Sequence, residues 1–267
     1  METGQKLQEL RRLIRDCGAL AVAFSGGVDS TFLLKVAADE LGERAVAITA
    51  RAEIYPEDEL ERACQLAVQL GVRHHLVDVD PLALAEFVAN PPDRCYHCKR
   101  AVFAEIRKKA LELGIQTLAD GTNADDPGDW RPGNKAIEEL GVRSPLREVG
   151  LTKAEIRQLS RTLELPTADL PSAACLASRF PYTTRITRED LARVHKAEEA
   201  LRALGFSGLR VRHHGSIARV ELPPDQLARA LQPQVREAIV RDIKALGYHY
   251  VTLDLEGYRT GSLNEVL

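Results

Sequence analysis

Six consecutive residues, Ser25-Gly26-Gly27-Val28-Asp29-Ser30, separate a short apolar run, Ala19 to Phe24, from a second apolar stretch through Leu33, Leu34 and Val36. Two adjacent glycines remove the Cβ atoms that would hold a ligand off. Several backbone N–H groups can then point at one anion at the positive end of the helix that follows. The chemistry of such a turn is phosphate binding. A Walker loop would need Gly-x-x-x-x-Gly-Lys-Ser/Thr, and that spacing does not occur, so the lysine that usually grips the outer phosphates is missing from the turn. Gly-Gly alone reads as an ordinary strand-to-helix turn. The flanking serines and Asp29 shift the balance toward a phosphate cradle.

Three other groupings carry chemical potential. Asp120-Gly121-Thr122-Asn123-Ala124-Asp125-Asp126 sets three carboxylates and an amide after an apolar strand. Turn-forming residues explain part of that composition. The same oxygen donors, with Asp125 and Asp126 foremost, suit Mg2+ beside a triphosphate, and Gly121 and Thr122 would border the nucleotide. Cys95-Tyr96-His97-Cys98 is a Cys-x-x-Cys set before a helix, after Pro91-Pro92-Asp93-Arg94. A structural zinc would need two further ligands, and a thioredoxin-type pair belongs after the first strand of its own fold. With Cys175 as the third thiolate, a [4Fe-4S] cluster with one open iron is a further reading; unrelated packing thiols are the plain one. Arg210 and Arg212 alternate along one strand and so share a face, with Arg179 and Arg185 in the segment before it. A solvated charged face is the default for that pattern. Convergent arginines also suit bidentate recognition of a phosphate monoester, with Glu221 on the partner strand holding one of them in place.

The elements that must position these residues follow from periodicity. Leu7, Leu10, Leu13 and Ile14 have helical spacing before the first strand. Ala45 to Ala50 and His74 to Val79 read as strands two and three, with a helix from Pro56 to Leu70 between them and Cys64 on its buried stripe. Val102 to Leu113 is a helix and Ile115 to Ala119 the next strand. Thr152-Lys153-Ala154-Glu155 is a capping box that opens another helix. Strands alternating with helices predict an α/β fold with a doubly wound parallel sheet. The nucleotide belongs at the carboxyl edge of that sheet. Pro171 to Arg179 is too rich in small residues for a core element and reads as a functional loop or an interdomain connector. Beyond it the pattern changes: a helix from Arg188 to Leu204, a hairpin of Gly208 to His213 and Ser216 to Leu222, helix over Asp225 to Ala245 broken near Pro233, and a final strand from Tyr248 to Leu255. The expected division is therefore residues 1–180 and a smaller α+β domain of residues 181–267.

Composition narrows the partners. The chain has 267 residues, 28% of them charged, with a formal net charge of -3. That balance offers no global attraction to nucleic acid or to an anionic membrane. The polar start Met-Glu-Thr-Gly-Gln-Lys and the lack of a long apolar run lead to the expectation of a cytoplasmic protein with no membrane partner. Five cysteines, an odd number, argue against a disulfide framework.

Ser-Gly-Gly-Val-Asp-Ser at 25–30 resembles the PP-loop of the N-type ATP pyrophosphatases. That resemblance implies cleavage of ATP between its α and β phosphates and an adenylated substrate. Further motifs narrow it: Arg94-Cys95-Tyr96-His97-Cys98-Lys99, Gly121 to Asp126 with Arg131-Pro132-Gly133, Ser144-Pro145-Leu146-Arg147, and Ala174-Cys175-Leu176-Ala177-Ser178-Arg179. Together they are similar to the LarE family of ATP-dependent sulfurtransferases. Those enzymes act on pyridinium-3,5-biscarboxylic acid mononucleotide in nickel-pincer cofactor synthesis, which serves lactate racemase. The resemblance implies that a substrate carboxylate is adenylated and that a sulfur nucleophile at Cys175 displaces AMP to give a thioacid. Some members sacrifice the cysteine sulfur and end as dehydroalanine. For members with three cysteines the family implies a [4Fe-4S] cluster, here on Cys95, Cys98 and Cys175, whose open iron carries a transferable sulfide. Arg179, Arg210 and Arg212 would anchor the substrate phosphate. A sulfur-donor protein and a homo-oligomer are the expected partners. A tRNA-thiolating PP-loop enzyme and a non-catalytic nucleotide-binding module are the alternatives; an amide-forming synthetase has no evident need for three cysteines.

Overall fold

The computed structural model describes residues 2–125, 132–171, 174–259 and 261–262. The chain divides into two compact units, one of residues 1–81 and 93–173, the other of residues 82–92 and 174–267. Asp126 and the Asp129–Arg131 part of its loop lie outside the described residues, as do Ser172 and Ala173.

The first unit is built on four parallel strands, β1 (Leu20–Ala23), β2 (Ala45–Arg51), β3 (Arg73–Asp78) and β4 (Leu118–Ala119), in the order β3-β2-β1-β4. Central β1 is apolar along its length, as a strand covered on both faces must be. Helices α1 (Thr3–Asp16), α2 (Val28–Leu41) and α3 (Glu57–Gln69) join β1 and β2 in one apolar core around Phe32, Leu33, Leu34 and Ala63. The chain runs outward from β1 to β2 to β3, then returns through the short α4 (Ala85–Val88) and through α5 (Arg94–Glu112) to reach β4 on the other side of β1. Right-handed crossovers place α2 and α3 on one face of the sheet and α5 on the opposite face. The direction of winding reverses between β1 and β4, and a crevice opens there at the carboxyl ends. The expected doubly wound α/β sheet is therefore the architecture found. The unit ends in α6 (Pro132–Glu139), α7 (Pro145–Glu148) and α8 (Lys153–Thr162). The capping box at α8 forms as expected, with the Glu155 N–H donating to the Thr152 hydroxyl at 3.3 Å and the Thr152 N–H donating to Glu155 at 2.9 Å.

Two local expectations change. Strand β4 is shorter than the Ile115 to Ala119 run suggests. It pairs with β1 only through Leu118 and Ala119, and its outer side meets a bridge from Ala119 to Arg143. The Cys-x-x-Cys does not precede its helix but lies within its first turns, α5 beginning at Arg94. The apolar stripe that marks this helix in the sequence starts only at Val102, because Cys95, Tyr96, His97, Lys99 and Arg100 occupy the earlier turns.

The second unit holds α9 (Arg188–Ala203), β5 (Arg210–His214), β6 (Ile217–Glu221), α10 (Pro224–Ala230), α11 (Pro233–Ala245) and β7 (Tyr250–Leu253). Strands β5 and β6 are an antiparallel hairpin turning at Gly215, whose left-handed φ suits glycine, and β7 joins β6 in parallel. Val211, Ala218 and Val220 from the sheet meet Leu201, Ile239 and Ile243 from the helices in its core. The excursion at residues 82–92 belongs here because Asn90 is fully buried among main-chain groups. Its side-chain amide donates to the carbonyls of Pro181 and Thr184 at 2.7 and 3.0 Å, and its own carbonyl accepts the Thr183 N–H at 2.9 Å.

Candidate active site

In the first unit the turn after β1 folds back on itself. Gly26 has a left-handed φ, and a Cβ there would stand 3.0 Å from the Ala63 backbone, so both the dihedral and the helix behind demand glycine. Gly27 caps α2 with extended backbone. The hydroxyls of Ser25 and Ser30 lie 3.1 Å apart, and the Gly27 N–H approaches the Ser25 hydroxyl at 3.4 Å. Val28 is buried in the core, so it serves the turn through its backbone alone. A cavity of about 280 Å³ opens over this turn, lined by Ser25, Gly27, Asp29, Ser30, Lys99, Asp120, Gly121 and Thr122. A Cβ on Gly121 would sit 3.0 Å from the Ser30 nitrogen, and its absence lets the two loops touch.

The Asp120 carboxylate is buried and accepts hydrogen bonds from the Thr122 and Ser144 hydroxyls, which ties the β4 loop to the segment before α7. A second, more apolar cavity of about 150 Å³ shares Ala23, Ser25 and Phe103 with the first and adds Phe24, Thr49 and Tyr55. The Thr49 hydroxyl donates to the Phe24 carbonyl at 2.6 Å and therefore accepts from His74 Nε2 at 2.7 Å. Burial lowers the His74 pKa, so the ring is a neutral strut; neither His74 nor His75 meets a metal-ligand set among the described residues. A polar phosphate bay beside an apolar slot matches the two halves of an adenine nucleotide.

Sequence reasoning missed Lys153. The residue reads there as the first position of a capped helix, yet its ammonium lies 2.5 Å from Asp29 Oδ2, bridging 124 positions. Asp29 Oδ1 is buried and has no hydrogen-bond partner among the described residues. Asp125 accepts the Lys153 backbone N–H at 2.7 Å, and its own N–H donates to Asn123. A cation thus reaches the phosphate turn from another helix. Lys99, one turn into α5 beyond Cys95, lines the same cavity and carried no signal beyond its place in a motif. Cys95 is exposed and Cys98 buried, three residues apart on α5. Within either unit, no three His, Cys, Asp or Glu side chains converge among the described residues.

In the second unit, half-buried Cys175 precedes a single 3-10 turn, Leu176–Arg179. Arg179 and Arg212 are 2% and 5% exposed. Each forms a two-pronged ion pair, Arg179 with Glu198 at 2.9 and 3.0 Å and Arg212 with Glu221 at 2.9 and 2.7 Å. The expected role of Glu221 as a partner-strand brace is thus realised. Arg210 stacks over the Tyr258 ring at 4.9 Å and donates to the Leu209 carbonyl. Burial, and then the charge of Arg179, push its pKa down. Burial alone would raise the Glu198 pKa, but the Arg179 hydrogen bonds and charge outweigh it and the net shift is downward.

Comparison with known proteins agrees with this geometry. Residues 9–107 match the asparagine synthase family. The chain is 45% identical to an uncharacterised protein of Synechocystis over 98% of each chain. It is 37% identical to the pyridinium-3,5-bisthiocarboxylic acid mononucleotide synthase of Lactiplantibacillus plantarum, over 95% of this chain and 92% of that one. A tRNA-specific 2-thiouridylase of Beijerinckia indica is 25% identical over 63% of this chain and 48% of its own.

Proposed function

The chain belongs to the LarE family of PP-loop enzymes and is an ATP-dependent sulfurtransferase, and we propose that it converts a carboxylate of pyridinium-3,5-biscarboxylic acid mononucleotide to a thiocarboxylate. The observation that carries the ATP half of this reading is the 280 Å³ cavity at the switch point of the sheet, walled by the glycine turn and by Asp120–Thr122. Backbone N–H groups of Gly27 and Val28, at the start of α2, would hold the phosphates, and Lys153 would supply the positive charge that a Walker lysine supplies elsewhere. The unpartnered Oδ1 of Asp29 is an oxygen donor of the kind Mg2+ takes, and Asp125 is the second candidate ligand. When bound, Mg2+ neutralises phosphate charge.

The substrate carboxylate attacks the α phosphorus and pyrophosphate leaves, which turns a poor leaving oxygen into a good one. The Cys175 thiolate would then attack the activated carbonyl as AMP departs, giving a thioester, and loss of the cysteine α proton with cleavage of its Cβ–Sγ bond would release the thiocarboxylate and leave dehydroalanine at 175. Arg210, which among the described residues stacks on a ring and donates to a main-chain carbonyl rather than to a carboxylate, would receive the substrate phosphate. Arg179 and Arg212 add positive charge behind it. Cys95 and Cys98, one helical turn apart on α5, are a donor pair suited to iron, and with Cys175 they would hold a [4Fe-4S] cluster. When bound, such a cluster would supply an open iron carrying a transferable sulfide, in place of the loss of sulfur from Cys175. The tRNA-thiolating alternative has weaker support, since that likeness covers less of both chains and the net charge is -3.

Anaerobic purification with iron and sulfide analysis, on wild type and Cys95→Ala, tests the sulfur source. About four irons per chain that depend on Cys95 are expected. Thiocarboxylate formation with neither iron nor loss of sulfur from Cys175 by mass spectrometry would overturn the assignment.

A further inference from the structure

We propose that the buried Arg179–Glu198 ion pair is a positioning device for Cys175, with Glu198 acting through Arg179 on the main chain of the cysteine loop. The proposal rests on the reading above only in taking Cys175 as the sulfur-delivering residue. It begins from a packing problem. Leu176 and Ala177 are buried, but Ala174, Ala177 and Ser178 are small, and one anchored leucine after Cys175 does not fix the orientation of the peptide groups on either side of it. The peptide groups must be held instead, through their carbonyls.

Arg179 supplies them. Its Nη1 donates to the Ala174 carbonyl at 2.5 Å and to the Cys175 carbonyl at 2.9 Å, and it approaches the Ser178 hydroxyl at 3.0 Å. The Cys175 carbonyl also accepts from the Ser178 N–H at 3.0 Å and the Ser178 hydroxyl at 2.8 Å, so three donors fix the peptide plane next to the thiol-bearing carbon. From the other side Arg212 Nη1 donates to the Ser178 carbonyl at 2.8 Å.

A guanidinium is a rigid planar fork, so the two contacts of Nε and Nη2 with Glu198 determine where Nη1 points. Glu198 is itself held from inside the unit: it is 0% exposed and accepts the Val211 N–H of β5 at 3.1 Å. The hydrophobic core of the unit therefore reaches the cysteine loop through one carboxylate and one guanidinium. Stability alone does not account for this arrangement, because burying an ion pair costs in desolvation about what it returns in attraction. What it does return is a single orientation. Each nitrogen of Arg179 is engaged inside the unit, which separates its role from that of Arg210.

The test compares Glu198→Gln, Arg179→Lys and Arg202→Ala in the full chain. Because a buried arginine without its carboxylate can prevent folding, Arg179→Lys is the second probe. It keeps the charge opposite Glu198 but has one nitrogen and cannot reach carboxylate and carbonyls together. Amide hydrogen exchange over residues 174–179 and the rate of Cys175 alkylation by iodoacetamide, resolved by peptide mass spectrometry, report the loop directly. Exchange at 174–179 should rise about tenfold or more in either of the first two variants, and kcat for thiocarboxylate formation should fall roughly 10- to 100-fold with the KM for ATP unchanged. Arg202→Ala, which removes the solvent-side partner of the same carboxylate, should leave all of these at wild-type values. Unchanged exchange and alkylation in folded Arg179→Lys would overturn the proposal. So would a raised KM for the mononucleotide with exchange unchanged, since Arg179 would then be a substrate contact. Thiocarboxylate formation by Cys175→Ala would instead remove Cys175 from the chemistry and leave the exchange result standing.

Discussion

The turn at Ser25–Ser30 and the loop at Ala174–Arg179 are both short, rich in small residues and placed to carry chemistry, but they are held in different ways. In the first, the hydrogen bonds that shape the turn lie within the six residues themselves, Ser30 to Ser25 and Ser25 to Gly27, while α3 behind Gly26 and Lys153 at Asp29 add support from outside. In the second, the bracing comes from Glu198, 19 positions further on, and from Glu221 through Arg212. A turn that binds a ligand with its own backbone can be written locally, because its N–H groups are the site. A loop that presents one thiol gains an external frame here, because the local bonds from Ser178 and the buried Leu176 are joined by an arginine whose own direction is set from the core.

Substitutions can break or sharpen that contrast. The largest effect expected is from Cys175→Ala, which should reduce thiocarboxylate formation by about 10³-fold or more while pyrophosphate release persists. Thioacid assay and pyrophosphate release, measured in parallel, separate the two steps. Gly26→Ala should act only on the other segment. A methyl group 3.0 Å from the Ala63 backbone, on a residue held at a left-handed φ, costs on the order of 1–3 kcal/mol, and ATP affinity measured by calorimetry should fall about 10- to 100-fold. Cys175 alkylation should stay at the wild-type rate in that variant; a change would show that the two segments are not independently braced.

Arg210→Ala should raise the KM for the mononucleotide about tenfold or more with ATP binding intact, and equal losses in both would refute its assignment to the substrate phosphate. The smallest effect is expected at the junction of α1 and α8. Glu155 is partly desolvated, which would raise its pKa, but hydrogen bonds from Lys6, Thr152 and Thr3 outweigh that and bring it down to about 2. A carboxylate depressed in the folded state stabilises it above its ordinary pKa and loses that contribution as pH falls toward the folded value. Glu155→Gln should therefore cost about 1–2 kcal/mol in denaturant titrations at pH 7, and the deficit should shrink as pH is lowered from about 4.5 toward 2.

Much of the first unit was legible because its signals are local. Alternating apolar strands and amphipathic helices gave the order of elements, and the capping box at Thr152 and the break before Pro233 appear where the residues suggest. The first two turns of α5 were not legible, since a helix face carrying cysteines, a histidine and basic residues lacks an apolar stripe. Nor was the departure of residues 82–92 to the second unit, which depends on Asn90 finding main-chain partners near residue 181.

By itself, then, the amino-acid sequence determined the glycine turn, the parallel doubly wound sheet that presents it, and which cysteines and arginines the proposed sulfur transfer has to draw on. These depend on periodicity and on neighbours a few positions apart. Only the tertiary structure decided that Lys153 faces Asp29 and that Arg179 turns inward to Glu198 while Arg210 lies over Tyr258. An ionised side chain takes whichever partner burial leaves within reach, and that partner is set by chain crossings that no local pattern encodes.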